Sequence, residues 1–128
     1  MSCWTFRVFK DGGANVIEQR LTSLPPSIEE RFRTLLIHMA NTQSWVRPFF
    51  DKLSGYKNVY EIIIKSNIQY RLLGCFGPGR REFTLLIEAT KSGASKGKPA
   101  TWNPKDARKI ADMRSKLPLE DRRYTDEY

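Results

Sequence analysis

The sequence predicts a single α+β domain in which helices pack on a mixed, mainly antiparallel sheet of about four strands. Three observations favour this class: an alternating segment near the amino terminus, an amphipathic helical stripe after it, and three consecutive β-rich segments before a last helix. A chain of 128 residues can form one hydrophobic core and is too short for two. The expected order is β, α, α, β, β, β, α, with both N-terminal helices on one face and the other face open to a partner.

The first strand is predicted over residues 4–9, where side chains alternate until an Asp-Gly-Gly sequence interrupts the pattern. The first helix is predicted over residues 27–41. Its start is indicated by a capping box, in which the Ser27 hydroxyl accepts from the Glu30 amide and the Glu30 carboxylate reaches back. Its apolar residues make one helical stripe that must be buried: Ile28, Phe32, Leu35, Leu36 and Met39.

A second short helix is predicted over residues 45–53, in spite of Pro48 near its start. The β portion begins at residues 59–65, which are rich in β-branched side chains, and a Ser-Asn turn leads to the next strand at residues 68–76. A Gly-Pro-Gly turn then precedes a strand over residues 82–90. These three segments are expected to form an antiparallel meander.

The last helix is predicted to open at Asn103 and Pro104, an N-cap residue followed by proline at the first helical position. A weak apolar stripe continues it: Ala107, Ile110, Ala111 and Leu117. We take residues 1–119 as the domain and residues 120–128 as an acidic C-terminal tail.

The chain is strongly basic, with 22 Lys and Arg against 14 Asp and Glu and a net charge of +8. Residues 120–128 contain four acids and two arginines, a charge of −2, so residues 1–119 carry +10. A field of this size indicates a polyanionic or acidic partner.

Neither cysteine lies in a spacing typical of a metal site or a disulfide framework. Cys3 and Cys75 have no CxxC or Cys/His pattern around them, so no metal or other cofactor is expected, and reduced thiols fit a cytoplasmic protein. The first residues lack the apolar run of a signal peptide, and no stretch reaches the ~20 apolar residues that span a bilayer. We expect no membrane partner.

The segment of two strands around the Gly-Pro-Gly turn carries cations at Arg71, Arg80, Arg81 and Lys91. A sheet edged with fixed cations suits phosphate groups, because guanidinium donors match paired oxygens. The face that Arg71 occupies depends on the preceding hairpin loop.

A two-residue loop at Ser66 and Asn67 would place Arg71 with Ile62 and Ile64. A three-residue loop through Ile68 would place it on the face that carries Glu61, Ile63 and Lys65. Only the second arrangement gives a polar face, so we adopt it.

Four segments occur in order: Leu53 and Gly55 before Tyr60-Glu61-Ile62, the pair Tyr70-Arg71, the apolar strand that ends in Lys91, and Asn103-Pro104-Lys105-Asp106-Ala107. Together they resemble the RelE/ParE superfamily of toxins from bacterial type II toxin–antitoxin pairs, especially its HigB-like and phage-derived branches. The likeness covers about residues 53–116, and the first 50 residues match in pattern alone.

The resemblance implies a RelE-like fold and a toxin held silent by a cognate antitoxin, expected here to be a helix-turn-helix protein. Such a toxin enters the decoding site of the ribosome and cuts messenger RNA, whereas the ParE branch poisons DNA gyrase. The ribonucleases promote attack of the RNA 2′-hydroxyl on its neighbouring phosphate without a metal. That step needs a proton acceptor, cations for the phosphate charge, and a proton donor to the leaving oxygen.

The resemblance assigns Arg71 and Lys91 as phosphate-stabilising cations. Glu61 is a candidate base through its carboxylate, as in some other ribonucleases, and the Tyr70 phenol is a candidate proton donor. Candidate RNA-binding residues are Lys65, Arg80, Arg81, Lys96, Lys98 and Trp102, the last by stacking on a base.

Plainer roles stay open for several of these residues. Arg71 could pair with Glu61 or Glu88, and Trp102 and Tyr70 could be core residues. His38, the one histidine, flanks the apolar stripe and is interpreted as a boundary residue.

Glu61 and Ile63 depart from the family pattern, because some ribonuclease members carry basic residues at these positions. The sequence is therefore compatible with three functions: a ribosome-dependent messenger RNA endoribonuclease that inhibits translation, a ParE-like gyrase inhibitor without chemistry, and a basic nucleic-acid-binding adaptor.

Overall fold

The computed structural model describes residues 2–93 and 97–128. Its elements are β1 Thr5–Asp11, β2 Ala14–Asn15, α1 Val16–Thr22, α2 Pro26–Ala40, β3 Phe50–Lys52, β4 Tyr60–Lys65, β5 Gln69–Phe76, β6 Glu82–Ser92, β7 Thr101–Asn103, α3 Ala107–Glu120, a 3₁₀ turn Arg122–Tyr124, and β8 Thr125–Glu127. The α+β class is confirmed, with a mixed sheet of eight strands instead of about four. Half of these strands have only two or three residues, too few to give a periodic signal in the sequence.

The four long strands lie side by side in the order β1, β6, β5 and β4. β1 pairs with β6 in parallel, whereas β6 with β5 and β5 with β4 pair antiparallel, which confirms the predicted meander. The short strands add to the margins: β2 and β8 pair with β1, β3 pairs with β4, and β7 pairs with the end of β6. The longer elements run β, α, α, β, β, β, α, which has the predicted sequence of types, although one of the two N-terminal helices is not the predicted one.

Helix α2 packs across one face of the sheet. Its residues Phe32, Leu36 and Met39 are fully buried in a core cluster with the sheet, as the apolar stripe predicts. The predicted capping box does not form, because no side chain caps this helix. The Pro25 carbonyl instead accepts from the Ile28 amide at 2.9 Å, so proline geometry starts the helix one residue early.

The second N-terminal helix lies elsewhere than predicted. It is α1, which precedes α2 and is capped by the Asn15 side chain, whose oxygen accepts from the Glu18 amide at 2.9 Å. The prediction of a helix over residues 45–53 is wrong, because residues 42–49 form no helix and β3 follows them.

Trp45 explains this difference. Its ring stacks on Phe6 at 5.5 Å between centroids and on Phe76 at 5.8 Å, and it meets Phe83 edge-on at 5.3 Å. Its indole N–H donates to the Met39 carbonyl at 2.8 Å. Aromatic packing of this kind stabilises the turns and bends between α2 and β3, so tertiary contacts override the local helical pattern.

Helix α3 covers part of the opposite face, which corrects the expectation that this face stays open. Ala107 and Ala111 of α3 are fully buried in a second core cluster with Leu73 and Ala89 of the sheet. The helix begins at Ala107 and not at Pro104, because the residues before it form β7 and pair with β6.

The residues assigned to an acidic tail continue the sheet. Strand β8 pairs antiparallel with β1, and Thr125 within it is buried and accepts from Arg7 Nε at 2.7 Å. Arg122 donates through both terminal nitrogens to Glu82 at 2.7 and 2.6 Å, which ties this segment to the start of β6. Within the described part of the chain, no helix is long and apolar enough to cross a membrane.

Candidate functional site

The β4–β5 hairpin has the three-residue loop that the sequence analysis adopted. Lys65 is opposite Gln69, and Ile63 is opposite Arg71. Residues directly opposite each other share a face, so Arg71 lies on the face of Glu61, Ile63 and Lys65, as predicted.

The same register extends across β6 and β7. Gln69 is opposite Lys91, and Lys91 is opposite Trp102, so these residues form one row with Lys65 on the α3 side of the sheet. Two strand pairings thus bring together Arg71, Lys91 and Trp102, which the sequence places far apart.

Trp102 is the centre of a cluster of cations. The Arg71 guanidinium carbon lies 5.9 Å from the ring centroid, Lys91 Nζ lies at 5.3 Å, and the Arg108 guanidinium carbon lies at 5.5 Å. Trp102 itself is 7 % exposed and belongs to the core cluster under α3. Cations over an aromatic face are attracted by its quadrupole, so the ring holds three positive charges near one another.

Arg71 is buried and paired. It is 6 % exposed, and its Nη1 lies 2.5 Å from a carboxylate oxygen of Glu61, which is 7 % exposed. Its Nη2 donates to the Gln69 side chain. The ion pair that the sequence analysis weighed as the plainer role of Arg71 is therefore present, with Glu61 as the partner and not Glu88.

A cavity of about 230 Å³ opens beside this pair. Among the described residues its lining consists of Gln69, Arg71, Lys91, Ser92, Gly93 and Ala100. Arg71 Nε is buried and has no hydrogen-bond partner in the described structure. Within this cavity, Lys91 makes no ion pair with a described residue, whereas Arg71 does.

Other predicted site residues lie away from the cavity. Tyr70 alternates to the opposite face of β5 and packs on the α2 core cluster, so it does not join Arg71. Arg80 and Arg81 follow the end of β5 that lies opposite to Gln69. From the rise per residue of an antiparallel strand, the two ends of β5 are about 25 Å apart. Tyr70 is therefore separated from the cavity by the alternation of side chains along β5, and Arg80 and Arg81 are separated from it by the length of β5.

Lys65 and Lys98 are exposed, and Lys65 stands at the outer end of the row that contains Lys91. Lys96 lies outside the described residues. His38 is exposed and meets the Phe49 ring edge-on at 6.3 Å between centroids, as a boundary residue does.

Two residues of the cluster were missed by the sequence analysis, Gln69 and Arg108. Arg108 follows Trp102 by six positions at the start of α3, and that arginine in the first helical turn was the available signal. Gln69 had no signal, because its role depends on the orientation of the buried Arg71 side chain.

Glu88 is a second buried carboxyl group, on the face that α1 and α2 cover. Its Oε1 lies 3.5 Å from Arg20 Nη2, and its Oε2 has no partner among the described residues. Burial raises the pKa of Glu88, and the attraction of Arg20 only partly offsets this. Because the folded state holds this proton more tightly than the unfolded chain, stability falls as pH rises from the unfolded pKa through the raised one.

Glu88→Gln is expected to remove this contribution to the pH dependence of stability. From about pH 4, near the pKa of an unfolded glutamate, the variant should gain stability over the parent as pH rises through the raised pKa of Glu88. Urea denaturation across that range measures both proteins, and Glu30→Gln serves as the control because Glu30 is exposed. A free-energy difference between Glu88→Gln and the parent that does not change with pH would contradict the assignment.

Comparison with protein-family models, curated proteins and solved structures gives no match for this chain. Within residues 2–93 and 97–128, no group of three or more His, Cys, Asp or Glu is arranged to hold a metal ion.

Proposed function

We propose that this protein is a RelE/ParE-like toxin of a type II toxin–antitoxin pair and that it cleaves messenger RNA on the ribosome. The observation that carries the proposal is the convergence of Arg71, Lys91 and Arg108 on Trp102, beside a cavity that Arg71 and Lys91 line. Fixed cations of this kind stabilise a phosphate whose charge grows in the transition state.

Two further observations support it. Over the span of the resemblance, about residues 53–116, the described chain forms the predicted meander of β4, β5 and β6 followed by helix α3. The domain also carries a large positive charge, which draws it to RNA. A cognate antitoxin, a helix-turn-helix protein with an acidic segment, would silence the toxin by covering Arg71 and Lys91, and the toxin would act in the cytoplasm on ribosomes.

One observation favours a second candidate, a ParE-like inhibitor of gyrase that performs no chemistry. Glu61, the candidate proton acceptor, is engaged by Arg71, and Tyr70, the candidate donor, lies on the other face. Neither is free in the cavity to move a proton. A basic adaptor that only binds nucleic acid is the third candidate.

Lys91→Ala is expected to lower cleavage of translated message by about 100-fold, because it removes a cation that stabilises the transition state. Primer extension on message from a translation extract measures this. Lys98→Ala is the matched control: it removes the same charge from an exposed position outside the described cavity lining, and should only weaken attraction to the RNA backbone.

Equal cleavage by Lys91→Ala and the parent would remove Lys91 from the site. If the parent cuts no message, a gyrase supercoiling assay decides between the other candidates. Inhibition of supercoiling would identify the gyrase inhibitor, and its absence would leave the adaptor.

A further inference from the structure

Gln69 contacts the buried Arg71 side chain and also lines the cavity. Arg71 is 6 % exposed, whereas Gln69 is half-buried. In the sheet, Gln69 is opposite Lys65 on one side and Lys91 on the other. A molecule that enters the cavity can therefore reach Gln69 without displacing a core residue.

The Arg71 guanidinium fixes the orientation of the Gln69 side-chain amide. Arginine has N–H donors and no acceptor, so only the amide oxygen can face it, and Arg71 Nη2 donates to Gln69 Oε1. Arg71 is held in turn by Glu61, whose carboxylate oxygen lies 2.5 Å from Nη1. Because the amide oxygen is engaged, the two N–H donors of the amide are left for a ligand.

The other polar side chains of the described cavity lining add to this donor character. They belong to Arg71, Lys91 and Ser92, and among them only the Ser92 hydroxyl can accept a hydrogen bond. Trp102 is 7 % exposed and is not among the described lining residues. A base that enters the cavity therefore meets hydrogen-bond donors and not an aromatic face.

The four RNA bases differ in how they match a donor. Guanine O6 and uracil O4 are carbonyl oxygens that accept, whereas adenine N6 and cytosine N4 are amino groups that donate. A glutamine with both ends free reads adenine, because its oxygen accepts from N6 while its nitrogen donates to N7. Gln69 cannot do this, since its oxygen is engaged by Arg71. An amino group that faces the Gln69 donors leaves both sides without a partner, which weakens binding.

We propose that Gln69 is the specificity-determining residue of this site and that it selects bases with a carbonyl group, guanine and uracil, over adenine and cytosine. The inference rests on the function proposed above. The Gln69 amide nitrogen donates to the carbonyl oxygen of the base. Arg71 and Glu61 are positioning residues for this contact, because they act through the orientation of the amide.

The test measures binding by fluorescence anisotropy with three cytidine heptamers that carry guanosine, uridine or adenosine at the central position. Their length and charge are equal, so attraction to the backbone cancels in the ratio of dissociation constants. The parent should bind the guanosine and uridine oligomers about 10-fold more tightly than the adenosine oligomer. Guanine and adenine are both purines, so this result separates the chemistry of the base edge from its size.

Gln69→Glu is the central variant. It keeps the length of the side chain and an acceptor for Arg71, and it replaces the donor by a second carboxylate oxygen. Its preference for guanosine over adenosine should fall from about 10-fold to about 1-fold or below. Gln19→Glu is the matched control, because Gln19 is exposed on α1 and the change adds the same charge. The control should keep the preference of the parent.

The double variant Glu61→Leu/Arg71→Met tests the positioning role. Without the guanidinium, the Gln69 amide is free to turn and to present either its oxygen or its nitrogen. The preference for guanosine over adenosine should fall to about 3-fold or less in the folded protein, a readout that a purely structural role would not change. A preference equal to that of the parent would overturn the proposal.

Three other results also overturn it: equal binding of the three oligomers by the parent, an unchanged preference in Gln69→Glu, or no binding of any oligomer by the parent. If the parent nevertheless cuts message in a translation extract, the RNA-cleaving function stands without this inference. Selective binding by a parent that cuts no message refutes the cleaving function and leaves Gln69 as the residue that reads the base.

Discussion

Arg71→Ala is expected to destabilise the fold by about 3–5 kcal/mol, because it leaves the Glu61 carboxylate buried without its partner. Urea denaturation at neutral pH measures the loss. Arg80→Ala is the control, since Arg80 is exposed and its removal should change the free energy of unfolding by no more than about 0.5 kcal/mol.

The double variant Glu61→Leu/Arg71→Met separates the ion pair from the arginine itself. Apolar residues of similar volume often replace a buried pair without loss of stability, so the double variant should be close to the parent. If it is as unstable as Arg71→Ala, the unpaired carboxylate is not the cause.

Because Arg71→Ala weakens the fold, lost cleavage in this variant does not by itself show a catalytic role for Arg71. Loss of cleavage by Arg71→Ala would follow from a weakened fold as readily as from a lost phosphate contact. Lys91 is the cleaner probe, because it lines the same cavity and makes no ion pair with a described residue. A catalytic role for Arg71 requires the folded double variant to be inactive.

Trp45→Ala is expected to destabilise the fold by about 3 kcal/mol, at the lower end for loss of a tryptophan from a core because the side chain is only half-buried. The change removes its contacts with Phe6, Phe76 and Phe83 and its hydrogen bond to Met39. Thermal and urea denaturation would both show the loss.

Trp45→Phe divides the effect, since it keeps a six-membered ring and removes the indole donor together with the pyrrole part of the ring, with an expected loss of about 1–2 kcal/mol. Val46→Ala is the adjacent control, because Val46 is 61 % exposed and should change stability by no more than about 0.5 kcal/mol. Similar losses for Trp45→Ala and Val46→Ala would show that the loop does not anchor the core.

Much of the fold could be predicted from the sequence because periodic patterns are local. The stripe of α2, the β-branched residues of β4, and the turns of the meander indicated these elements correctly. The preference for a polar face also selected the correct hairpin loop. Residues 45–53 were predicted wrongly because their pattern also fits a helix, and only contacts with distant aromatic residues select the non-helical conformation.

The candidate site could be predicted only in part. The sequence indicated Arg71, Lys91 and Trp102, and strand pairing does bring them together. It could not place Tyr70 or Arg80 relative to them, because strand alternation and strand length must first be known. Arg108 joins the cluster only because α3 packs next to β7.

The sequence by itself determined the α+β class, the amphipathic helix α2, the meander of β4, β5 and β6, and the strong positive charge, since each follows from local pattern or composition. The tertiary structure alone decided that Glu61 neutralises Arg71, that α3 covers the second face, and that cations cover Trp102. The physical reason is that burial and ion pairing depend on residues far apart in the chain, and their free energies exist only once those residues meet.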